Sequence, residues 1–351
     1  MSSKMKKTIS VAIGTVGMVV LSLVLGGILV VLTGNSPLEA YMAIWNGAFG
    51  SPLKISELFV KVTPIMIMAF GVSIAYRAQL WNIGASGQFI MGSIASAAVA
   101  LYVPLPFILR IPASLIAAIA AGALWAGIAG VLKNRFNANE VITTSLLTYI
   151  ANYFLLYVIN GPMQDPESDL SQSALMPEEM HLPTLFKNYR IHIGIFILLA
   201  VIIFMIIFWK TTLGYRINLI GQGEKVSTYA GVNMNSTVIM TLMISGAFCG
   251  LAGWIEMFGI QFRVLDGIAA DYGNIATIIA LLGSLNVYGI IAAAAFFSVL
   301  LCGGASMQRM TEVPYSVVNV IQGLIIILVI ARDRMGESIS KISVGRKEKK
   351  S

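Results

Sequence analysis

Between Lys7 and Glu39 the chain carries no charged side chain, and nine further stretches carry little charge. A helix that crosses a bilayer needs about 20 predominantly apolar residues to span a ~30 Å hydrocarbon core. Apolar runs separated by charge, Pro or Gly-Asn signals place spans near residues 9–33, 56–76, 83–103, 112–132, 139–160, 191–209, 236–259, 272–285, 289–307 and 315–331. This predicts an all-α polytopic membrane protein with about ten transmembrane helices, some of them broken. The run at 272–285 is too short to cross alone unless it is tilted or broken. Composition agrees, because 57% of the 351 residues are hydrophobic and 11% are charged, against roughly 25% charged in soluble domains. A soluble globular fold is excluded. The first run exceeds the roughly 7–15-residue core of a cleaved signal peptide and reads as a retained helix.

The net charge of +7 reflects 23 Lys and Arg against 16 Asp and Glu. These basic residues do not gather on one face, as nucleic-acid binding would require. Lys4, Lys6 and Lys7 precede the first span, and Arg332, Arg334, Lys341, Arg346, Lys347, Lys349 and Lys350 follow the last. With the N-terminus inside, Arg77, Lys133, Arg135, Lys210, Arg216 and Lys225 also fall inside, which makes sixteen basic residues there and seven elsewhere. The positive-inside rule therefore favours ten spans with both termini cytoplasmic. Residues 1–331 read as the membrane domain and 332–351 as a basic cytoplasmic tail. Cys249 and Cys302 lie within apolar runs, so neither a disulfide framework nor a metal site is legible.

Two connections are long. The outer one, 161–190, contains Asp165, Glu167, Asp169, Glu178 and Glu179, with Pro162, Pro166, Pro177 and Pro183 opposing continuous helix. It reads as a solvated external loop. The inner one, 210–235, combines Gly214, Gly221, Gly223 and Gly231 with a short helical patch around 224–230. Its length of about 25 residues is at the upper end of ordinary connections and suggests a partner. A broken Gly-rich span follows a long one twice, at 56–103 and 236–307, as an inverted-topology repeat would arrange it.

No HExxH or GxSxG motif is present, and the only histidines are His181 and His192, so an enzyme is disfavoured and no catalytic residue is assigned. The segment from Gly221 to Thr228 lacks the GxxxxGK[ST] pattern of a phosphate loop. The chain itself is not expected to bind ATP. Within the apolar runs, Arg77 to Gln88 is too polar to face lipid, because unsatisfied amides in hydrocarbon cost several kcal/mol. It reads either as a tight cytoplasmic turn or as a broken helix whose Asn82, Ser86 and Gln88 reach a polar substrate. Other polar residues at membrane depth include Glu140, Thr144, Asn152, Glu256 and Asn274, of which Asn152 and Asn274 join the candidate pathway. Gly246, Gly250 and Gly253 fit close helix packing.

The segments WNIGASGQFIMGS (81–93), ANEVITTSLLTYIANYFLLYVINGP (138–162) and LGYRINLIGQGEKVSTYAGVNMN (213–235) carry a family resemblance, together with ISGAFCGLAGWIE and the stretch from Ile275 to Met307. Over roughly 55–331 the chain resembles the membrane permease subunits of bacterial ABC importers in the branched-chain amino acid, ribose and nucleoside superfamily. NIGASGQ followed by NEVITTSLLTYIA is similar to the nucleoside-type subgroup, although Ser86 stands where a NIGAEGQ pattern has an acidic residue. The resemblance implies a type II importer-like fold in the cell membrane and a half-channel paired with a second, often different, permease. It also implies two ATP-binding subunits that carry ATP and Mg, and an extracytoplasmic substrate-binding protein or lipoprotein. The short helix in the inner loop would dock on an ATP-binding subunit, which makes Gly214, Arg216, Gly221, Glu224, Ala230, Gly231 and Asn233 docking candidates. Gly231 would permit a left-handed helix end. The leading expectation is nucleoside import. Uptake of a simple sugar such as ribose or galactose, an ion-coupled carrier and a non-transporting scaffold are the alternatives.

Overall fold

The computed structural model describes residues 3–329 and 331, so the basic tail at 332–351 lies outside the described residues. Their regular structure is helical, with isolated β-bridges and no named strand among the described residues. The chain divides into two compact units, one of Ile55–Ser298 and one of Met1–Lys54 with Val299–Ser351.

The larger unit is built from α3 (Pro52–Arg77), α4 (Ala85–Tyr102), α5 (Phe107–Phe136), α6 (Glu140–Ile159), α7 (Gly194–Phe208), α8 (Thr212–Gln222), α9 (Glu224–Tyr229), α10 (Met234–Glu256) and α11 (Tyr272–Leu282), with the start of α12 (Val287–Thr311). Every residue of α3 from Val62 to Tyr76 is buried, as expected for a helix apolar on all sides. Small residues bring α4, α5 and α10 together. A Cβ on Gly92 would lie 2.5 Å from the Gly250 Cα, and one on Gly122 would lie 2.9 Å from the same atom. In lipid, such close backbone approach replaces the hydrophobic drive between helices. Side-chain caps set three helix starts: Asn139 accepts from Val141 N at 2.9 Å, Thr211 from Gly214 N at 3.2 Å and Asn233 from Ser236 N at 3.1 Å.

The smaller unit contains α1 (Ser3–Leu32), α2 (Pro37–Phe49), the remainder of α12 and α13 (Ser316–Val329). The sequence reading places no helix between 34 and 55, yet α2 occupies much of that stretch and turns 116° from Gly17–Leu32. Gly34 at φ +83° breaks the first helix, and Pro37 at the start of the second has no N–H to leave unpaired. A Cβ on Gly47 of α2 would sit 2.9 Å from the Gly303 Cα of α12.

Among the described residues, six helices are long and apolar enough to cross a bilayer, namely α3, α4, α5, α6, α10 with its continuation to Gln261, and α12. Counting the bent pairs α1–α2 and α7–α8 as one span each gives eight. The two other expected spans, 272–285 and 315–331, correspond to α11 and α13, which are apolar but short.

The 161–190 segment is more ordered than a solvated loop. Helix α10 opens into a π turn at Met257–Gln261, which leaves carbonyls without their usual i→i−4 donors. The segment supplies donors nearby: Leu182 N donates to Phe258 O, Met176 N to Phe262 O and Ser173 N to Val264 O, at 2.8–2.9 Å. Its own Met176 and Met180 are buried, while Glu167, Asp169, Glu178 and Glu179 stay exposed.

Candidate functional site

Helix α3 ends at Arg77, where Gln79 at φ +60° reverses the chain and Leu80 N returns to Ala75 O at 3.0 Å. The next residues alternate in direction. Trp81 and Ile83 are exposed, whereas Asn82 is fully buried. The Asn82 Nδ2 donates to Gln88 Oε1 at 3.0 Å and to Ser245 Oγ at 2.9 Å. Its Oδ1 accepts from Gln88 Nε2 at 2.8 Å and from Gly84 N at 3.1 Å. Gln88 is 1% exposed. The two amides thus satisfy each other, which removes the desolvation cost that either would carry alone. Ile83 N donates to Thr144 Oγ1 at 3.2 Å, and Gly84 and Gly87 let α4 approach the α6 backbone at Thr144 and Thr148.

The other pathway candidates are placed differently. Ser86 is half-buried and packs against Gly273 at the start of α11, one residue before the exposed Asn274. Asn152 is half-buried on α6, where its Nδ2 donates to Thr148 O at 2.9 Å. The structure therefore joins Asn82 to Gln88 and brings Ser86 to α11, while Asn152 bonds within its own helix. Glu140 pairs with Lys133 at 2.6 Å.

Sequence reasoning missed a polar cluster around Lys61. Its Nζ lies 2.6 Å from the Tyr272 hydroxyl and 5.1 Å from the centre of that ring. Glu256, 1% exposed, accepts from Gln261 Nε2 at 2.9 Å. A lysine inside the apolar run at 56–76 was the available signal. Among the described residues, no group of three or more His, Cys, Asp or Glu side chains could hold a metal ion.

The 210–235 segment forms α8 and α9, with α8 bent 67° from α7. Gly214, Ile217 and Gly221 recur at helical spacing along one face of α8. Gly214 packs on Phe208 and Trp209 at the end of α7, Ile217 is fully buried, and Gly221 lies against the Arg77 carbonyl. Gly214 and Gly221 thus face their own chain. Arg216, Glu224, Ala230, Gly231 and Asn233 are exposed, and Asn233 also caps α10. Gly231 takes φ +69° and closes α9 in a Schellman turn, with Val232 N bonded to Ser227 O and Gly231 N to Thr228 O, both at 3.0 Å. Tyr215, Val226 and Tyr229 project outward among these polar residues, Tyr229 with 94% of its surface exposed.

The profile of the branched-chain amino acid transport system / permease component family matches residues 54–330. The chain belongs to this permease family. It is 33% identical over 316 residues to the guanosine ABC transporter permease protein NupP of Bacillus subtilis, covering 89% of this chain and 90% of that one. It is 33% identical over 322 residues to the nucleoside ABC transporter permease protein NupB of Lactococcus lactis subsp. cremoris, covering 89% and 88%. It is 32% identical over 336 residues to a glucose ABC transporter permease of Haloferax volcanii, covering 92% and 88%. The family match covers the whole larger unit, including the break after α3 and the α8–α9 segment.

Proposed function

We propose that this permease forms half of the translocation pathway of an ATP-driven nucleoside importer and couples through α8–α9 to a separate ATP-binding subunit. The observation that carries the coupling is the outward apolar patch of Tyr215, Val226 and Tyr229, on a segment whose Gly214–Gly221 face packs on its own chain. Exposed apolar surface rimmed by charge is the usual form of a protein contact site. Ala230 and Gly231 suit close packing within it, while Arg216 and Glu224 add weak, salt-screened contacts. The likeness to guanosine and nucleoside permeases supports the substrate class. The glucose permease of similar identity favours a simple sugar as the second reading.

In this reading α11 and α13 complete a ten-segment, type II importer-like fold in the cell membrane, and both termini are cytoplasmic, as the distribution of basic residues favours. The partners are a second permease, two ATP-binding subunits that bind ATP and Mg, and an extracytoplasmic substrate-binding protein. The pathway passes the break after α3. Ser86 and Asn274 approach the substrate together with Asn152, and Asn82 and Gln88 hold the backbone that presents them.

The test is ATP hydrolysis by the assembled complex with the loaded binding protein. A nucleoside should stimulate it and glucose should not. Stimulation by glucose alone replaces the nucleoside reading with the sugar one, and flux through this chain alone under an ion gradient makes it a secondary carrier. Ala230→Trp should abolish subunit binding or stimulation. An Ala230→Trp complex that assembles and transports like the parent overturns docking through this segment.

A further inference from the structure

The last residue of α3 touches three elements that the proposed transport cycle must move together. The Arg77 Nε donates to Leu285 O at 3.0 Å, in the turn between α11 and α12. Its guanidinium lies 4.0 Å from the centre of the Trp209 ring, at the bend from α7 into α8. Its own carbonyl packs on Gly221 at the end of α8, where no side chain would fit.

Each contact is at a place with little freedom. The α11–α12 turn holds two successive non-glycine residues in the left-handed region, Ser284 at φ +50° and Leu285 at φ +55°. Such conformations persist only where their surroundings over-determine them. Leu285 N bonds back to Ala280 O at 3.0 Å, and the Arg77 bond fixes the carbonyl of the same residue. Among the described residues the Trp209 indole N–H has no hydrogen-bond partner, so the ring is held by stacking on Arg77 and by its edge contact with Phe208. From the turn, α11 runs as a rigid rod of about 16 Å to Tyr272 and Gly273, against which Ser86 packs.

We infer that Arg77 is the positioning residue through which movement of α8 reaches α11, and hence the Ser86 and Asn274 region of the pathway. This rests on the docking role proposed for α8–α9. The residue type follows from the geometry. A planar guanidinium can stack on an indole while its Nε donates sideways to a carbonyl, whereas a lysine ammonium keeps the charge but cannot hold both contacts in that fixed arrangement.

The test uses the assembled complex and compares Arg77→Lys, Trp209→Leu and Trp209→Phe. Three quantities are read: co-purification of the ATP-binding subunits, basal ATP hydrolysis, and the increment that substrate-loaded binding protein adds. Arg77→Lys and Trp209→Leu should assemble with basal hydrolysis intact but lose the increment and uptake by about tenfold, within the usual range of coupling between sites. Trp209→Phe, which keeps a ring under the guanidinium, should retain most of both. Normal stimulation and uptake in Arg77→Lys overturns the inference, as does equal loss in Trp209→Phe and Trp209→Leu. Should Arg77→Lys fail to assemble, the Trp209 pair decides on the same readouts. Ala230→Trp separates the two proposals. If it blocks subunit binding while Arg77→Lys transports normally, the strut alone falls, and if it assembles and transports like the parent, the docking role falls with it.

Discussion

The break at 78–88 and the segment at 209–233 are both punctuated by glycine and polar in sequence, but they solve opposite problems. In the break, polar side chains point inward and satisfy one another: both atoms of the Asn82 amide and both of the Gln88 amide are bonded. In the second segment apolar side chains point outward, and Tyr229 is almost fully exposed. A satisfied buried amide pair specifies one backbone geometry. An exposed tyrosine on a short helix adds nothing to the fold of its own chain and leaves surface for a partner. Polarity within a membrane segment therefore does not by itself mark a ligand contact. What matters is whether the polar group already has a partner.

The largest expected effect comes from breaking the inward pair. Asn82→Leu leaves the Gln88 amide, the Ser245 hydroxyl and the Gly84 N–H unpaired, at about 1–3 kcal/mol for each buried group left unsatisfied. Thermal unfolding in detergent should show a loss of about 2–4 kcal/mol, smaller than the sum because relaxation recovers part of it. The double variant Asn82→Leu/Gln88→Leu removes both partners at once and should cost clearly less than the two single variants together. Strict additivity, or reduced uptake with unchanged stability in the single variant, would mean that Asn82 faces an open pathway instead.

A smaller effect sharpens the outward side. Gly231→Ala forces a Cβ into φ +69° at a site with nothing within 4 Å, so the cost is conformational rather than steric. It should weaken ATP-subunit binding by about fivefold, corresponding to ~1 kcal/mol. Gly231→Asn should recover much of this, since Asn tolerates the left-handed region. Equal affinity of the Ala variant and the parent would show that the turn does not shape the patch.

The long spans were legible because membrane insertion selects on a quantity that sequence displays directly, the length of an apolar run. Helices α5 and α12 extend beyond their expected limits by a few residues, while α6 begins one residue inside its limit, where Asn139 caps it. Helix α2 was hidden because Glu39 and Asn46 dilute its apolar character and it does not span alone. The left-handed end at Gly231 was readable from glycine chemistry, but the inward direction of Gly214 and Gly221 was not, because both depend on where the ends of α7 and α3 arrive. The pairing of Asn82 with Gln88 required knowledge that the chain turns back at Gln79. The Lys61–Tyr272 contact joins residues 211 positions apart, beyond any local pattern. The 161–190 segment looked solvated from its prolines and acids, yet it is held by the carbonyls of Phe258, Phe262 and Val264, in and just after the π turn that ends α10.

Tyr229→Cys tests the central contrast most directly. The substitution adds a thiol at the most exposed point of the outward patch, while Cys249 is buried and Cys302 half-buried. In inside-out vesicles a membrane-impermeant maleimide should label it rapidly when this chain is present without ATP-binding subunits, and addition of those subunits should protect it. Labelling only from the opposite face of the membrane, or an unchanged rate with the subunits bound, would contradict the account.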